Sequence, residues 1–319
     1  MKKNMINETH IEGYLYSTGT DSGRDILQVK VSGPDSKNPN TEFIAGTINI
    51  ATDEAGLNIV PVHFTYVTAV TAKGKPNRTY DALKTMIDTD RMWSKSGKEN
   101  ALKVRIDSAI GLNEFYSDPA DEETLVSARR NEGGFVHLVD VLNENEDERN
   151  TWCADMLITS TNRIEGNEDR GTSDKVVVKG YIFNFRNELL PIDFAVTLPD
   201  GMTYFENMDV SPKEPIFTKI WGQQESQVIT VKTTEESGFG GPIVKTRKTS
   251  RKEFLITGIA KEAYPWDDED FLTAAELAKA MSEREVFLAT TRKNAIEFAS
   301  KKSVSSGAKA VADGTGYKF

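Results

Sequence analysis

The chain has 319 residues, 38% of them apolar, and 49 acidic against 39 basic side chains give it a formal charge of −10. That length allows two hydrophobic cores, because single cores stop growing near about 250–300 residues. No run approaches the ~20 apolar residues of a membrane span, and the net acidity disfavours a general polyanion binder.

The charge is segregated, however. Acids gather in Glu114 to Glu148 and in WDDEDF at Trp266 to Phe271, whereas Lys73 to Arg105 and Lys245 to Lys252 are net basic, so an acidic protein can still carry a basic face. The opening MKKNMINETH has lysines but no apolar region behind them, and no secretory signal is expected. Cys153 is the only cysteine, which excludes an internal disulfide and a cysteine-built zinc site and fits a reducing cytoplasm.

From His10 to Thr71 the runs HIEGYLYS, DILQVKVS, EFIAGTINIAT and NIVPVHFTYVT alternate apolar and polar residues between Gly, Asp, Asn and Pro, predicting a β meander. Asp53 to Gly56 supplies a hairpin turn, and Pro61, lacking a ladder donor, is expected at an edge or bulge. A short helix is predicted around Tyr80 to Ile87, inside a long lysine-rich loop. Strands resume at ALKVRIDSAI, TLVSARR, GFVHLVDVL and TWCADMLITSTNRI.

These patterns divide the chain into a β-barrel domain over 1–164, a second β domain over 165–262, an acidic segment and helix over 263–302, and a tail over 303–319. The polar Glu165 to Asp174 is the expected linker. The second β series is VVVKGYIFNFR, LLPIDFAVTL, PIFTKIWGQ, SQVITVKTT and RKEFLITGIAK. IEGYLYS and VKGYIFN match in residue type, with Gly13 against Gly180 and Tyr14 against Tyr181. They read either as the opening strands of two copies of one domain or simply as good sheet composition. Thr273 to Glu276 has the form of a capping box, and Leu277, Met281, Leu288 and Ala295 lie on one stripe of the helix that follows.

Catalytic motifs are absent: no phosphate loop, no nucleophile elbow, no zinc-protease helix and no βαβ alternation with a glycine-rich turn. His10, His63 and His137 are dispersed over strands, and neither a metal nor a cofactor is expected of them. A binding protein rather than an enzyme is the expectation.

Aromatic residues on strands, with cations nearby, are the ingredients of a single-strand binder, in which bases stack on rings and Lys or Arg track phosphates. By strand parity Tyr14 and Tyr16 share a face, as do Tyr181, Phe183 and Phe185, and Phe64 and Tyr66. KTRKTSRK places Lys245, Arg247, Lys248, Arg251 and Lys252 on an expected hairpin arm, and the lysine-rich loop adds Lys73, Lys75, Arg78, Trp93, Lys95 and Lys98. The candidate nucleic-acid contacts are these cations with Tyr14, Tyr16, Tyr66, Trp93, Tyr181, Phe183 and Arg186. Trp266 and Phe271, flanking four carboxylates, and the terminal aromatic Phe319 are candidate contacts for a protein partner. Alternatively, Asp267 to Asp270 only favour the N-terminal end of the following helix.

Taken together, IEGYLYS, EFIAGTINIATDEAGLNIVPVHFTYVT and VVVKGYIFNFRNELLPIDFAV resemble phage or mobile-element proteins of the OB-fold single-stranded DNA-binding kind, over most of Ile11 to Lys261. The resemblance implies one or two OB-like barrels with a C-terminal helix and binding of single-stranded DNA. It also implies an accessory role in replication or recombination, with proteins of those processes as further partners, in a bacterial cytoplasm. The competing expectation, favoured by the net acidity, is a structural or assembly protein built from the same β domains, without nucleic acid.

Overall fold

Alternation of apolar and polar residues decides which face of each strand turns inward. In β1 (Asn7–Thr18) Ile11 and Leu15 are fully buried, in β3 (Glu42–Ala51) Ile44, Ile48 and Ile50, and in β4 (Ile59–Thr68) Val60, Val62 and Phe64. These side chains meet Val104 and Ile106 of β5 (Lys103–Tyr116), Val136 of β6 (Leu125–Leu138), and Leu83 and Met86 of helix α1 (Arg78–Thr89) in one core. The computed structural model describes residues 4–20, 23–167, 171–235, 239, 241 and 243–312.

The strands around that core close into a ring. β1 pairs with β3 and β5, β3 with β4, β4 with β6 and β6 with β5, all antiparallel except β4–β6. With α1 between the third and fourth strands and β2 (Gln28–Val31) appended to β3, this is the strand order of an OB-fold barrel.

A second ring repeats it. β7 (Asn150–Ile164) pairs with β8 (Lys175–Phe183) and β10 (Ile216–Glu235), β8 with β9 (Leu189–Val196), β9 in parallel with β11 (Ile243–Ile259), and β11 with β10. Helix α3 (Pro199–Glu206) again lies between third and fourth strands. The core holds Trp152 stacked on Phe194 at 4.5 Å with Phe254 edge-on to both. The fold is therefore mainly β, two OB-like barrels with a C-terminal helix, α4 (Ala274–Ala312). Among the described residues no helix is long and apolar enough to cross a membrane.

Several details differ from the sequence expectation. β7 opens the second ring, so the boundary expected at Ile164 falls one strand late; an unbroken run cannot show which barrel a strand closes. β1 and β7 pair directly, Asn7 against Ala154 through Ile11 against Asn150, making one sheet across both rings. The IEGYLYS and VKGYIFN runs are not equivalent strands, the first opening its ring and the second standing second in its own. What they share is a crossing: a Cβ on Gly13 would lie 2.1 Å from the Ala51 carbonyl oxygen, and one on Gly180 2.0 Å from that of Leu157. Each glycine lets the first and second strands of its ring approach.

The lysine-rich loop is ordered by α1, whose N-cap Asn77 accepts from the Thr79 amide, by the short helix α2 (Trp93–Ser96) and by a 3-10 turn at Lys98–Asn100. TLVSARR and GFVHL form the single strand β6, kinked where Gly133 and Gly134, at φ 60 and 105, are squeezed in opposite Ser108. Pro61 lies inside β4, at the stretch where the ladder to β6 has not yet begun. The capping box forms as expected: the Thr273 amide donates to Glu276 Oε2 (3.1 Å) and the Glu276 amide to Thr273 Oγ1 (3.2 Å). Asp267 Oδ1 adds a bond from the Ala274 amide, and the helix continues past the expected Lys302.

Candidate nucleic-acid interface

The outer face of β4 is shaped by a bulge. Ile44 pairs with Val67 and Gly46 with Phe64, so Thr65 and Tyr66 stand together opposite Ala45. The extra residue re-aims a side chain: Phe64 stays in the core at 0% exposure while Tyr66 is turned out, 42% exposed, with its ring 4.5 Å from that of Phe43 at 34°. The expected Phe64–Tyr66 face is thus corrected to Phe43–Tyr66.

One step along β4, His63 Nδ1 lies 3.0 Å from Thr47 Oγ1. Burial lowers the pKa of this half-buried imidazole, and the guanidinium of Arg130 and the ammonium of Lys30 push in the same direction against Asp25 and Glu132. Arg130 itself pairs with Glu132 at 2.7 Å.

Beyond His63, Pro61, Arg129, Gln224, Ser226 and Lys252 line a recess of about 280 Å³ where the two rings meet. Its floor is an amide clamp. Asn131 Nδ2 donates to Gln224 Oε1 (2.7 Å) and Gln224 Nε2 to Asn131 Oδ1 (3.0 Å), both side chains being buried. Asn58 Nδ2 donates to the Gln224 carbonyl (3.0 Å) and its Oδ1 accepts from the Ser226 amide (2.7 Å). Arg129 donates to the Asp193 carbonyl of β9.

From this clamp β10 and β11 run on as a two-stranded arm. Their register continues from Ser226 opposite Lys252 to Glu235 opposite Ile243, while β11 touches β9 only at Leu255. Ten residues per strand at ~3.4 Å each make the arm about 34 Å long. KTRKTSRK forms most of one strand, as expected. Arg251 is held by Glu225 (3.2 Å) and Glu253 (3.8 Å), whereas Lys252 is exposed. Lys245, Arg247 and Lys248 are placed by backbone register alone, and their side chains lie outside the described set.

At the opposite, C-terminal end of β4, Lys73, Lys75 and Arg78 are exposed on a tight turn closed by the Thr71 amide on the Lys75 carbonyl. Among the described residues no ion pair engages them, Lys30 or Lys252. A line along β4 therefore passes from these cations over Phe43 and Tyr66, with Lys30 opposite Phe43, past His63 and Arg130, to Arg129, Lys252 and the arm.

The other expected contacts lie elsewhere. Tyr14, Tyr16, Trp93 and Lys98 do converge, but as a closed cluster on β1. The Trp93 ring is 5.7 Å from that of Tyr14 and 6.0 Å from that of Tyr16, and Lys98 Nζ sits 5.3 Å and 5.4 Å from the Tyr14 and Trp93 rings. Glu54 neutralises the cation at 2.6 Å and also takes Arg149 at 2.6 Å, and the two hydrogen bonds hold its carboxyl pKa down to about 2. Those contacts strap α2 to the barrel, and the three rings are partly exposed. Lys95 pairs with Asp90 at 2.9 Å.

Phe183 is fully buried and Tyr181 packs beside it under α4, because strand parity cannot tell a solvent face from one that a distant helix covers. Arg186 lies over Phe185 on the β8–β9 turn, away from the β4 face. Of the expected partner contacts, Phe271 stacks on Tyr264 at 5.2 Å and packs on the second barrel, Trp266 is partly exposed, and Phe319 lies outside the described residues. Sequence reading missed Lys30, Phe43, Arg129 and Arg130. The signal available for Arg129 and Arg130 was an adjacent cation pair in a strand.

Comparison with known proteins adds the following. No curated protein matches the sequence. Among solved structures, the wild-type single-stranded DNA binding protein from Thermus aquaticus aligns with a TM-score of 0.45 and 7% identity over 82% of this chain and 96% of its own. A deletion mutant of that protein aligns with 0.44 and 8% over 82% and 98%. A family model described as YorF matches residues 23–295. The chain belongs to the YorF family.

Proposed function

We propose that this protein binds single-stranded DNA with little sequence preference, along the outer face of β4 and onto the β10–β11 arm, and performs no catalytic step. The observation that carries the reading is the solvent-facing aromatic pair on the second and third strands of the first barrel, in line with exposed cations at either end of them. That face, with the hairpin between fourth and fifth strands, is where OB-folds take up oligonucleotides. Rings at that position accept any base, because every base has a π-face, and the cations follow the phosphates. The setting we assign, replication or recombination of phage or mobile-element DNA in the bacterial cytoplasm, rests on the sequence resemblance alone.

The test is fluorescence anisotropy of a labelled strand of ~30 nucleotides against duplex at several salt concentrations. Contacts from Lys30, Lys73, Lys75, Arg78 and Lys252, at ~0.7 per phosphate, imply a log–log salt slope of about −3.5, before any arm residue is added. Absence of binding at low salt, or equal affinity for duplex, would rule the reading out.

A further inference from the structure

The recess beside the amide clamp, where the two rings meet, has a volume of about 280 Å³. That is at the low end of the ~300–1,000 Å³ of small-molecule sites, so it has room for one flat heterocycle and not for a base pair. Pro61, Ala128 and the edge of Phe254 that the core leaves uncovered give it an apolar wall. Asn131 and Gln224 form its floor, and Gln224 Nε2 keeps one N–H beyond its bond to Asn131. The second lone pairs of the two amide oxygens add acceptors to that donor, a mixture that suits the polar edge of any base.

The charges on the lining are not all spent. Glu225 and Glu253 are taken by Arg251, Glu253 also by Lys175, and Arg130 by Glu132. Two cations remain. Lys252 is exposed, Arg129 donates to the neutral Asp193 carbonyl, and among the described residues neither has an ion pair. Part of the Arg129 side chain is exposed, but packing around its guanidinium pulls the pKa below the ordinary arginine value, with the charges of Asp193 and Glu253 pulling the other way. A desolvated guanidinium answered by a carbonyl alone is stabilised by an incoming anion.

An apolar wall, a floor of amide donor and acceptors and two unpaired cations match the parts of a nucleotide. We infer that one nucleotide of the bound strand leaves the line at this recess, its base seated against Pro61 and Phe254 and its phosphate held by Arg129 and Lys252. This rests on the single-strand reading above and deepens it. The strand turns once between the β4 face and the arm, and a base still paired in a duplex cannot enter, so single strands are preferred there by shape as well as by charge.

Ser127→Trp tests the seat. Ser127 is an exposed residue of the lining whose hydroxyl donates to Glu114 at the surface, so an indole there fills the recess while every cation stays. The readout is anisotropy of two labelled strands of ~30 nucleotides, one carrying bases and one built of abasic sites, with the full chain at several salt concentrations. The expectation is about a 10-fold weaker Kd on the base-bearing strand, in the range of one base contact, with an unchanged salt slope and no change on the abasic strand. Arg129→Gln, which keeps an amide donor for the Asp193 carbonyl, should flatten the slope by about 0.7 on both strands. Wild-type binding with Ser127→Trp within twofold on the base-bearing strand overturns the seat and leaves the single-strand reading standing. Equal losses on the two strands overturn it too, since the indole would then obstruct phosphates and not a base, and an unchanged slope in Arg129→Gln removes the phosphate contact. A wild type that binds neither strand overturns the seat and the reading together.

Discussion

Tyr66→Ala tests the interface most directly. The ring is 42% exposed and contributes nothing to the buried core, so its removal leaves the barrel intact. What the fold loses is the contact with Phe43 at 4.5 Å, worth about 0.5–1.5 kcal/mol, and at this chain length that lowers Tm by no more than a few degrees. What binding loses is a stacking platform, at about 1–3 kcal/mol per base. The uncovered Phe43 offers a base part of the lost face, so the expected cost lies at the lower end, about 1–2 kcal/mol, or roughly a 5- to 30-fold rise in Kd. Phe43→Ala combined with Tyr66→Ala should then cost more than the sum of the two single changes, since each ring covers for the other. Tyr204→Ala removes a comparably exposed ring on α3, remote from β4, and should leave Kd unchanged. Single-strand affinity within twofold of wild type in the double variant, with the fold intact by circular dichroism, would refute base stacking on this face.

The arm supplies a second expectation: alanine at Lys245, Arg247, Lys248 and Lys252 should flatten the salt slope by about 3, whereas Arg251→Ala, already compensated by Glu225 and Glu253, should change it less. A third concerns pH. His63 is held neutral in the fold by burial, so folding loses stability as pH drops below 6.5, where the unfolded chain takes up the proton more readily. A bound phosphate favours the protonated ring, which burial, Arg130 and Lys30 disfavour and Asp25 and Glu132 favour, so binding takes up a proton as pH falls. Anisotropy at pH 7.5 and 5.5 should show affinity rising on acidification in wild type and less so in His63→Gln. Fourth, Glu54→Ala strands Arg149, whose side chain is 6% exposed, and should cost about 1–3 kcal/mol in urea unfolding. The stability that Glu54 contributes is present above its ordinary pKa of 4.5 and is lost as pH falls toward 2, so the variant's acid limb should be shallower.

How much of this was legible in the sequence depends on the range of the interaction. Strand texture, the capping box at Thr273 and the basic arm are local and could be read directly. Ring closure is not local. Nothing within TWCADMLITSTNRI states that it pairs with β1, β8 and β10 at once, and that is why the boundary fell one strand late. Exposure is also non-local: Phe183 and Tyr66 sit in similar alternating runs, but one is covered by α4, about 90 residues downstream, and the other is turned out by a bulge whose only local sign is an irregular alternation at Thr65-Tyr66. The Tyr14–Trp93–Lys98 cluster shows the same limit, since its ingredients were all singled out while the carboxylate that closes it, Glu54, looked like an ordinary turn residue.

The duplication explains why one barrel carries the proposed interface and the other does not. The two rings share strand order and helix placement, yet the face of β8 and β9 that corresponds to β3 and β4 is electrostatically spent: Lys179 stands opposite Asp193, Lys175 pairs with Glu253, and Arg251 is divided between Glu225 and Glu253. The first ring's own hairpin leans on that face through Arg129 at the Asp193 carbonyl, and residues from Tyr264 to Met281 cover the neighbouring outer surface of β7 and β10. A strand of DNA would have to displace protein to reach it. The second barrel instead sends its own hairpin past the Asn58–Gln224 clamp to the N-terminal end of β4, where it lengthens the face of the first. On this view the clamp couples two functions, and loosening it with Gln224→Ala should both destabilise the junction between the rings and disconnect the arm from the aromatic pair. The two effects separate in one titration series: a 30-nucleotide strand, long enough to span face and arm, should lose affinity in the variant. An oligonucleotide of about four nucleotides, able to meet only Phe43 and Tyr66, should bind as before. Equal losses for both lengths would mean that the clamp supports the β4 face itself and not its connection to the arm.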